Sequence, residues 1–144
     1  MTTVLLLSGP NLNLLGIREP DIYGTATLDD HVARASAAAA DRGLDLEHFQ
    51  SNHEGELVEA VHKARGRVGA IIVNAAALTH YAWSLHDALA AFDGPVVELH
   101  LSNTAAREAW RHDSVVSPVA DGIIMGLGGH GYELAVHAVS LLLR

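Results

Sequence analysis

Apolar positions along the chain fall into two alternating patterns. The unbroken run Val4 to Leu7 reads as a buried strand, and Ala70-Ile71-Ile72-Val73, Val96 to Leu101 and Gly122 to Met125 read as further strands. Leu44 and Leu46 alternate with Asp45 and Glu47 ahead of Phe49, the pattern of an edge strand. Between these runs the apolar residues recur at helical spacing. Leu28, Val32, Ala35 and Ala39 form one stripe, with Thr27 and Asp30 as a capping box and Gly43 as the stop. Ser51 and Glu54 predict a second capping box ahead of Leu57, Val58 and Val61, in a helix that carries Lys63 mid-helix and ends at Gly66. A helix is expected from about Tyr81 to Phe92, closed by Gly94-Pro95. A short one after Asn103-Thr104 would carry Arg107 and Arg111 on one face, and the last would run from about Tyr132 to the end.

Five βα units in succession mean an α/β protein with a parallel sheet covered on both faces. The expected architecture is a flavodoxin-like doubly wound five-stranded parallel sheet, order 2-1-3-4-5. The 144 residues fit one domain spanning 1–144. No repeat or linker interrupts it, and Ala37–Ala40 is expected to be a close-packed helix face. Ligands of such folds bind beyond the carboxyl ends of the strands, at the switch point between strands 1 and 3. The chemistry is therefore sought just after Leu7, Val73 and Leu101.

Composition narrows the classes. Nine basic against 17 acidic residues give a formal charge of −8, which argues against a nucleic-acid or anionic-membrane partner. An anionic ligand would need a local basic pocket. The chain has no cysteine, which removes disulfides, thiolate zinc sites and cysteine nucleophiles. Its apolar runs fall far short of the roughly 20 residues of a membrane span. No basic residue precedes Val4, so no signal peptide is expected and a cytoplasmic protein is the default. Lys63 is the only lysine, and no phosphate loop surrounds it.

Several motifs fail on context. Gly126, Gly128 and Gly131 fit G-x-G-x-x-G, but a dinucleotide site needs a further strand and an acidic residue about 20 positions on. Tight strand–helix packing is the better reading. His53-Glu54 begins like a zinc motif, yet Leu57 stands at the second histidine position. There is no G-x-S-x-G elbow. No close pair among the ten histidines has metal-ligand spacing with a third partner, and His31, His62 and His137 read as helix-surface residues.

Three loops at the expected end of the sheet hold polar chemistry. After strand 1 a long loop, about 9–26, carries Asn11, Arg18, Glu19 and Tyr23, and its length suggests a lid. Asn74, Thr79 and His80 follow strand 3. Glu98 and His100 lie two apart on strand 4 and so share a face, where each needs a partner. The natural arrangement is a carboxylate orienting an imidazole. Leu101-Ser102-Asn103 then leads into the short helix, whose free N–H groups could bind an anion, with Arg107 and Arg111 beside them.

Taken together, these residues resemble the type II 3-dehydroquinate dehydratases over nearly the whole chain. The resemblance is carried by Gly9-Pro10-Asn11-Leu12-Asn13-Leu14-Leu15-Gly16, Arg18-Glu19-Pro20, Tyr23-Gly24 and Gln50-Ser51-Asn52-His53-Glu54-Gly55. It continues through Glu98-Leu99-His100-Leu101-Ser102-Asn103, Arg107, Arg111, Gly126-Leu127-Gly128 and Gly131-Tyr132. The family's flavodoxin-like fold matches the pattern above. The resemblance implies a hydro-lyase of the shikimate pathway, which leads to chorismate and the aromatic amino acids. It would convert 3-dehydroquinate to 3-dehydroshikimate through an enolate, without metal or cofactor. The same chemistry serves growth on quinate.

It also implies roles. Tyr23 would be the base, acting as tyrosinate. Free tyrosine ionises near pH 10, so a cation must assist, and Arg18 is the matching residue. Asn11 would help hold a water at the enolate oxygen, and His100, oriented by Glu98, would protonate the leaving hydroxyl. The N–H groups of Leu101 and Ser102 would hold the substrate carboxylate. Asn74, His80 and Arg111 would bind hydroxyls and the carboxylate edge, and Arg107 would support the lid. Asp87 matches a residue donated by a neighbouring subunit, which implies trimers and a homododecamer. This chain departs from the family pattern at Ala75-Ala76-Ala77-Leu78, where Pro-Gly-Ala-Tyr is common, and at Tyr81, Ala82, Trp83, His86 and Ala109. The alternatives are a non-catalytic protein that binds a shikimate-pathway carboxylate and a flavin or nucleotide protein of the same fold. The set Tyr23, Arg18, His100 and Glu98 favours an enzyme, since a binder has no use for an activated tyrosine.

Overall fold

In the computed structural model, which describes residues 1–144, five strands form one parallel sheet. They are β1 (Thr2–Ser8), β2 (Leu44–Gln50), β3 (Ala70–Asn74), β4 (Val96–His100) and β5 (Gly122–Met125), in the order β2-β1-β3-β4-β5. The expected topology is the observed one, with β2 at one edge. Successive residues of a strand point to opposite faces, so the apolar runs feed two cores. Val4, Leu6, Ile72, Val97 and Leu99 pack on one face with α2 (Leu28–Asp41) and α5 (His130–Leu142). Leu5, Leu7, Ile71, Val73 and Val96 pack on the other with α3 (Glu54–Ala64) and α4 (Trp83–Ala90). No helix is long and apolar enough to cross a membrane.

Local signals explain several boundaries. Thr27 Oγ1 accepts from Asp30 N–H at 3.2 Å while Asp30 Oδ2 accepts from Thr27 N–H at 2.9 Å, the predicted capping box of α2. Gly43 follows α2 with φ +71°. Gly131 lets α5 sit against β4, since a Cβ there would lie 2.7 Å from a methyl of Leu99. The packing role expected of the glycine cluster is met at Gly131 alone; Gly126 and Gly128 instead take positive φ, +88° and +60°.

Other expectations are corrected. The second capping box does not form: Ser51 Oγ donates to Glu56 and accepts from His53 N–H, and His53 is the N-cap of α3. Lys63 is exposed in the last turn of α3 rather than mid-helix. α4 is shorter than expected, because Tyr81 closes the 3-10 turn of residues 76–80, Ala82 is the N-cap, and Phe92 leaves the helix to fill the core. The helix expected after Asn103 is replaced by two 3-10 turns, Thr104–Ala106 and Ala109–Arg111, and Arg107 between them is extended. Arg107 and Arg111 therefore share no helix face. His31 is buried, not on the surface, with its ring stacked on Tyr132 at 5.1 Å. Of Ala37–Ala40 only Ala39 is fully buried, so the close-packed positions are Ala35 and Ala39.

The sheet exits are held close together. Ser8 pairs with Gln50 on one side and Asn74 on the other. Gly9 N–H donates to Asn74 O at 2.8 Å, and a Cβ at Gly9 would lie 2.5 Å from the Ala75 carbonyl oxygen. Three non-glycine residues have left-handed backbones: Asn11 (φ +68°), Glu19 (φ +43°) and Ala76 (φ +53°). Asparagine tolerates this conformation, but alanine gains nothing local in return and is strained by about 1–2 kcal/mol. Part of that strain would return as chain entropy with glycine. We therefore expect Ala76→Gly to raise stability by about 1 kcal/mol, or roughly 3 °C in a thermal melt. A melting temperature unchanged or lowered would contradict the strain.

Candidate active site

The cleft beyond the carboxyl ends of β1, β3 and β4 gathers most of the residues singled out in the sequence. Asn11, Arg18, Tyr23, Asn74, His80, His100, Leu101, Ser102, Arg107 and Arg111 all line it. Glu98 does not; it lies behind His100. Asp87 does not either. Its side chain is 85% exposed on α4, apart from the cleft of its own chain.

The loop after β1 builds one wall. Its Leu12–Leu14 turn is anchored by buried Leu12 and Leu15. Asn11 N–H donates to Asn52 Oδ1 at 2.9 Å, tying the loop to the exit of β2. Pro20 starts α1 (Pro20–Tyr23), where its fixed φ and missing N–H suit the first turn. Tyr23 ends that turn over the cleft, its ring packed against the α2–α5 core. Arg107 Nη1 donates to Tyr23 Oη at 2.6 Å and to Ser102 Oγ at 3.2 Å. The guanidinium carbons of Arg18 and Arg107 lie 5.2 and 5.3 Å from the Tyr23 ring centre. Two cations thus flank the phenol, and Arg107, expected only to support the lid, makes the direct bond.

β4 supplies the second group. Glu98 and His100 point the same way, and His100 Nε2 lies 2.6 Å from Glu98 Oε2. Glu98 is only 1% exposed. Burial disfavours its charge, yet hydrogen bonds from His100, Ser117 and Ser114 outweigh this and hold the carboxyl below its usual range. An ionised Glu98 can only accept, so Nε2 carries the proton of that bond. His100 is then left with Nδ1 as the nitrogen free to serve a ligand.

Polar groups complete the cleft. Asn74 is buried, and its amide is held at both ends: Nδ2 donates to Tyr132 Oη at 3.3 Å and Oδ1 accepts from Ala76 N–H at 3.3 Å. Burial pushes the Tyr132 hydroxyl up to about 12, so it stays protonated. His80 Nδ1 donates to the Asp113 carbonyl at 2.7 Å. Burial, with His100 and Arg111 nearby, keeps its ring below the ordinary histidine value despite that bond. Arg111 is paired with Glu108 and stacked 4.0 Å from the Trp110 ring centre. The segment after Ser102 is a three-residue turn in which Asn103 Oδ1 accepts from Ala105 N–H. It is not the helix N-terminus expected for anion binding. The positive charge of the cleft comes instead from Arg18, Arg107 and Arg111, with no carboxylate among its lining residues.

Sequence reasoning missed Ser114, Ser117 and the Asn74–Tyr132 bond. The signal for the serines was available: a glutamate inside an apolar strand demands donors from elsewhere.

Such a cleft, with an imidazole backed by a buried carboxylate, a tyrosine between guanidiniums and three arginines but no carboxylate among its lining residues, suits proton transfer on a small anion. Known proteins resemble the whole chain in sequence and in fold. The family model described as dehydroquinase class II matches residues 2–140. A catabolic 3-dehydroquinase of Aspergillus clavatus is 53% identical, over 96% of this chain and 93% of its own. A 3-dehydroquinate dehydratase of Cereibacter sphaeroides is 51% identical, over 98% of this chain and 96% of its own. The crystal structure of type II dehydroquinase from Propionibacterium acnes superposes with a TM-score of 0.93 at 44% identity, over 98% of this chain and 97% of that one. The chain belongs to the class II dehydroquinase family.

Proposed function

We propose that this chain is a 3-dehydroquinate dehydratase, a hydro-lyase of the shikimate pathway that forms 3-dehydroshikimate by trans elimination of water. The observation that carries the reading is Tyr23 and His100 facing one cationic cleft, each already held by its own partner. Tyr23 takes the proton next to the ketone. The negative charge it carries beforehand lies against Arg107 Nη1, with Arg18 on the ring. The enolate is stabilised from the Asn11 side of the cleft. His100 then gives a proton to the departing hydroxyl while Glu98 holds the imidazole in place. Arg111, Asn74, His80, Leu101 and Ser102 bind the carboxylate and hydroxyls of the substrate. Lys63 lies exposed on α3, apart from this cleft, which supports a route without a Schiff base.

The same proposal extends to assembly. Asp87 lies on α4 outside the cleft of its own chain, and a second copy that receives it in its cleft would complete the site. Trimers, gathered as a homododecamer, would do this. Exposed Tyr81, Trp83 and Ile123 leave apolar surface for such contacts. A cytoplasmic location is part of the reading, since the chain relies on no disulfide.

Purified protein given 3-dehydroquinate should produce the ultraviolet rise of a conjugated enone, before and after borohydride treatment. Tyr23→Phe and His100→Ala should each lower kcat by about 10²–10⁴-fold. A folded wild-type protein without turnover would leave only a binding role. Arg107→Leu removes the direct donor to Tyr23 and should lower kcat by about 10²–10³-fold; a loss confined to KM would reduce it to a substrate contact. Light scattering should find a mass near twelve chains, and Asp87→Ala should raise KM. A fully active monomer would refute the shared site.

A further inference from the structure

We propose that Ser114 and Ser117 are positioning residues of the reaction: their hydroxyls clamp the Glu98 carboxylate and thereby fix His100 against the substrate. This rests on the dehydratase reading above and deepens it.

The clamp follows from counting donors. Glu98 is out of reach of solvent, so its oxygens depend on protein donors. Oε2 accepts from His100 Nε2 at 2.6 Å and from Ser114 Oγ at 2.8 Å. Oε1 accepts from Ser117 Oγ. Bonds to Oε2 alone would leave Oε1 without a donor. The bond from Ser117 holds that second oxygen, so the carboxylate is gripped at both ends against turning about the Cγ–Cδ bond, and the plane that His100 meets is set.

The direction of each bond is also fixed. Ser114 Oγ accepts from Val116 N–H at 3.1 Å and from Ser117 N–H at 3.0 Å. Both its lone pairs are used, so its single hydrogen must go to Glu98. Ser117 faces an ionised oxygen and can only donate. The serines themselves cannot drift. Val115 N–H donates to Thr79 O at 2.8 Å, His86 Nδ1 donates to Val115 O at 2.6 Å, and Val115 and Val116 are buried. The Asp113 carbonyl of the same segment receives His80. One short segment therefore holds both cleft histidines, His80 directly and His100 through Glu98.

Neither serine lines the cleft, so any effect on the reaction must pass through Glu98 and His100. Ser117 is the cleaner probe, because Ser114 also organises its own turn. In the full-length enzyme, Ser117→Ala should lower kcat for 3-dehydroquinate about 10-fold, as expected for a lost bond to a charged group, with KM within about twofold of wild type. Ser117→Thr keeps the hydroxyl and should recover most of the rate. In a Glu98→Gln background, Ser117→Ala should cost little more, because its route of action is already broken. An unchanged kcat in Ser117→Ala would overturn the proposal. So would a full second loss in the Glu98→Gln background, or a fall in melting temperature with a rise in KM that threonine does not repair. Absence of turnover in the wild type would instead defeat the dehydratase reading itself, and the serine variants alone would not produce that result.

Discussion

One constraint organises this molecule: an ionised carboxylate sits inside an apolar parallel strand. Glu98 is flanked by Val97 and Leu99, both buried, and is itself 1% exposed. A buried charge deprived of a partner costs about 3–5 kcal/mol, so the strand cannot carry Glu98 unless donors are brought to it. His100 supplies one from the same strand. The others must come from outside the sheet, which is why the chain returns after Arg111 to lay Ser114 and Ser117 against β4 before it enters β5. That return path also sets Val115 on Thr79 and the Asp113 carbonyl on His80. Satisfying one carboxylate thus shapes a whole wall of the cleft.

The opposite wall obeys a second constraint, the crowding where β1 leaves the sheet between β2 and β3. The chain must turn sharply without pulling the strand ends apart. Gly9 permits the close approach to Ala75, and Asn11 and Ala76 take left-handed backbones on either side of the switch point. Strain of this kind persists only where the surroundings over-determine it. Here they do: Asn11 is tied to Asn52 across the exit of β2, and Ala76 N–H is tied to the Asn74 side chain. The bond from Ala76 N–H also holds the Asn74 amide at the edge of the cleft. Positions and strain are therefore one feature, not two.

The sheet was legible because burial on both faces leaves runs such as Val4–Leu7 that no loop tolerates, and because helical stripes separate them. The strand exits followed from topology, which is why the cleft could be located from Asn11, Asn74 and His100 alone. What local pattern could not give were elements decided by distant contacts. Ser51 and Glu54 have capping spacing, but Ser51 finds Glu56 instead. The stretch holding Arg107 looks helical, but its side chain reaches Tyr23 and Ser102, 84 and 5 positions away, and the backbone opens to allow it. His31 reads as a surface residue on its helix until Tyr132 of α5 supplies a ring to stack on. Ser114 and Ser117 belong to no motif, and only the need of Glu98 gives them meaning.

Charge placement connects the two walls. The chain carries a net −8 with only nine lysines and arginines, yet Arg18, Arg107 and Arg111 converge on one cleft. Like charges brought together repel, and two of the three are balanced by carboxylates outside the cleft, while Arg107 is held by Tyr23 and Ser102. Glu19 lies 3.6 Å from Arg18, and Glu108 pairs with Arg111, whose guanidinium also rests on Trp110. None of these carboxylates lines the cleft. Glu98, which lies behind His100, is already bound by the His100 ring and by two serine hydroxyls. An anion that enters therefore displaces water rather than a competing carboxylate, and it meets guanidiniums already oriented by partners behind them. Preorganisation of that kind lets an acidic protein hold an anionic substrate, because the field within the cleft is set by these near groups and the distant negative surface is screened beyond about 8–10 Å.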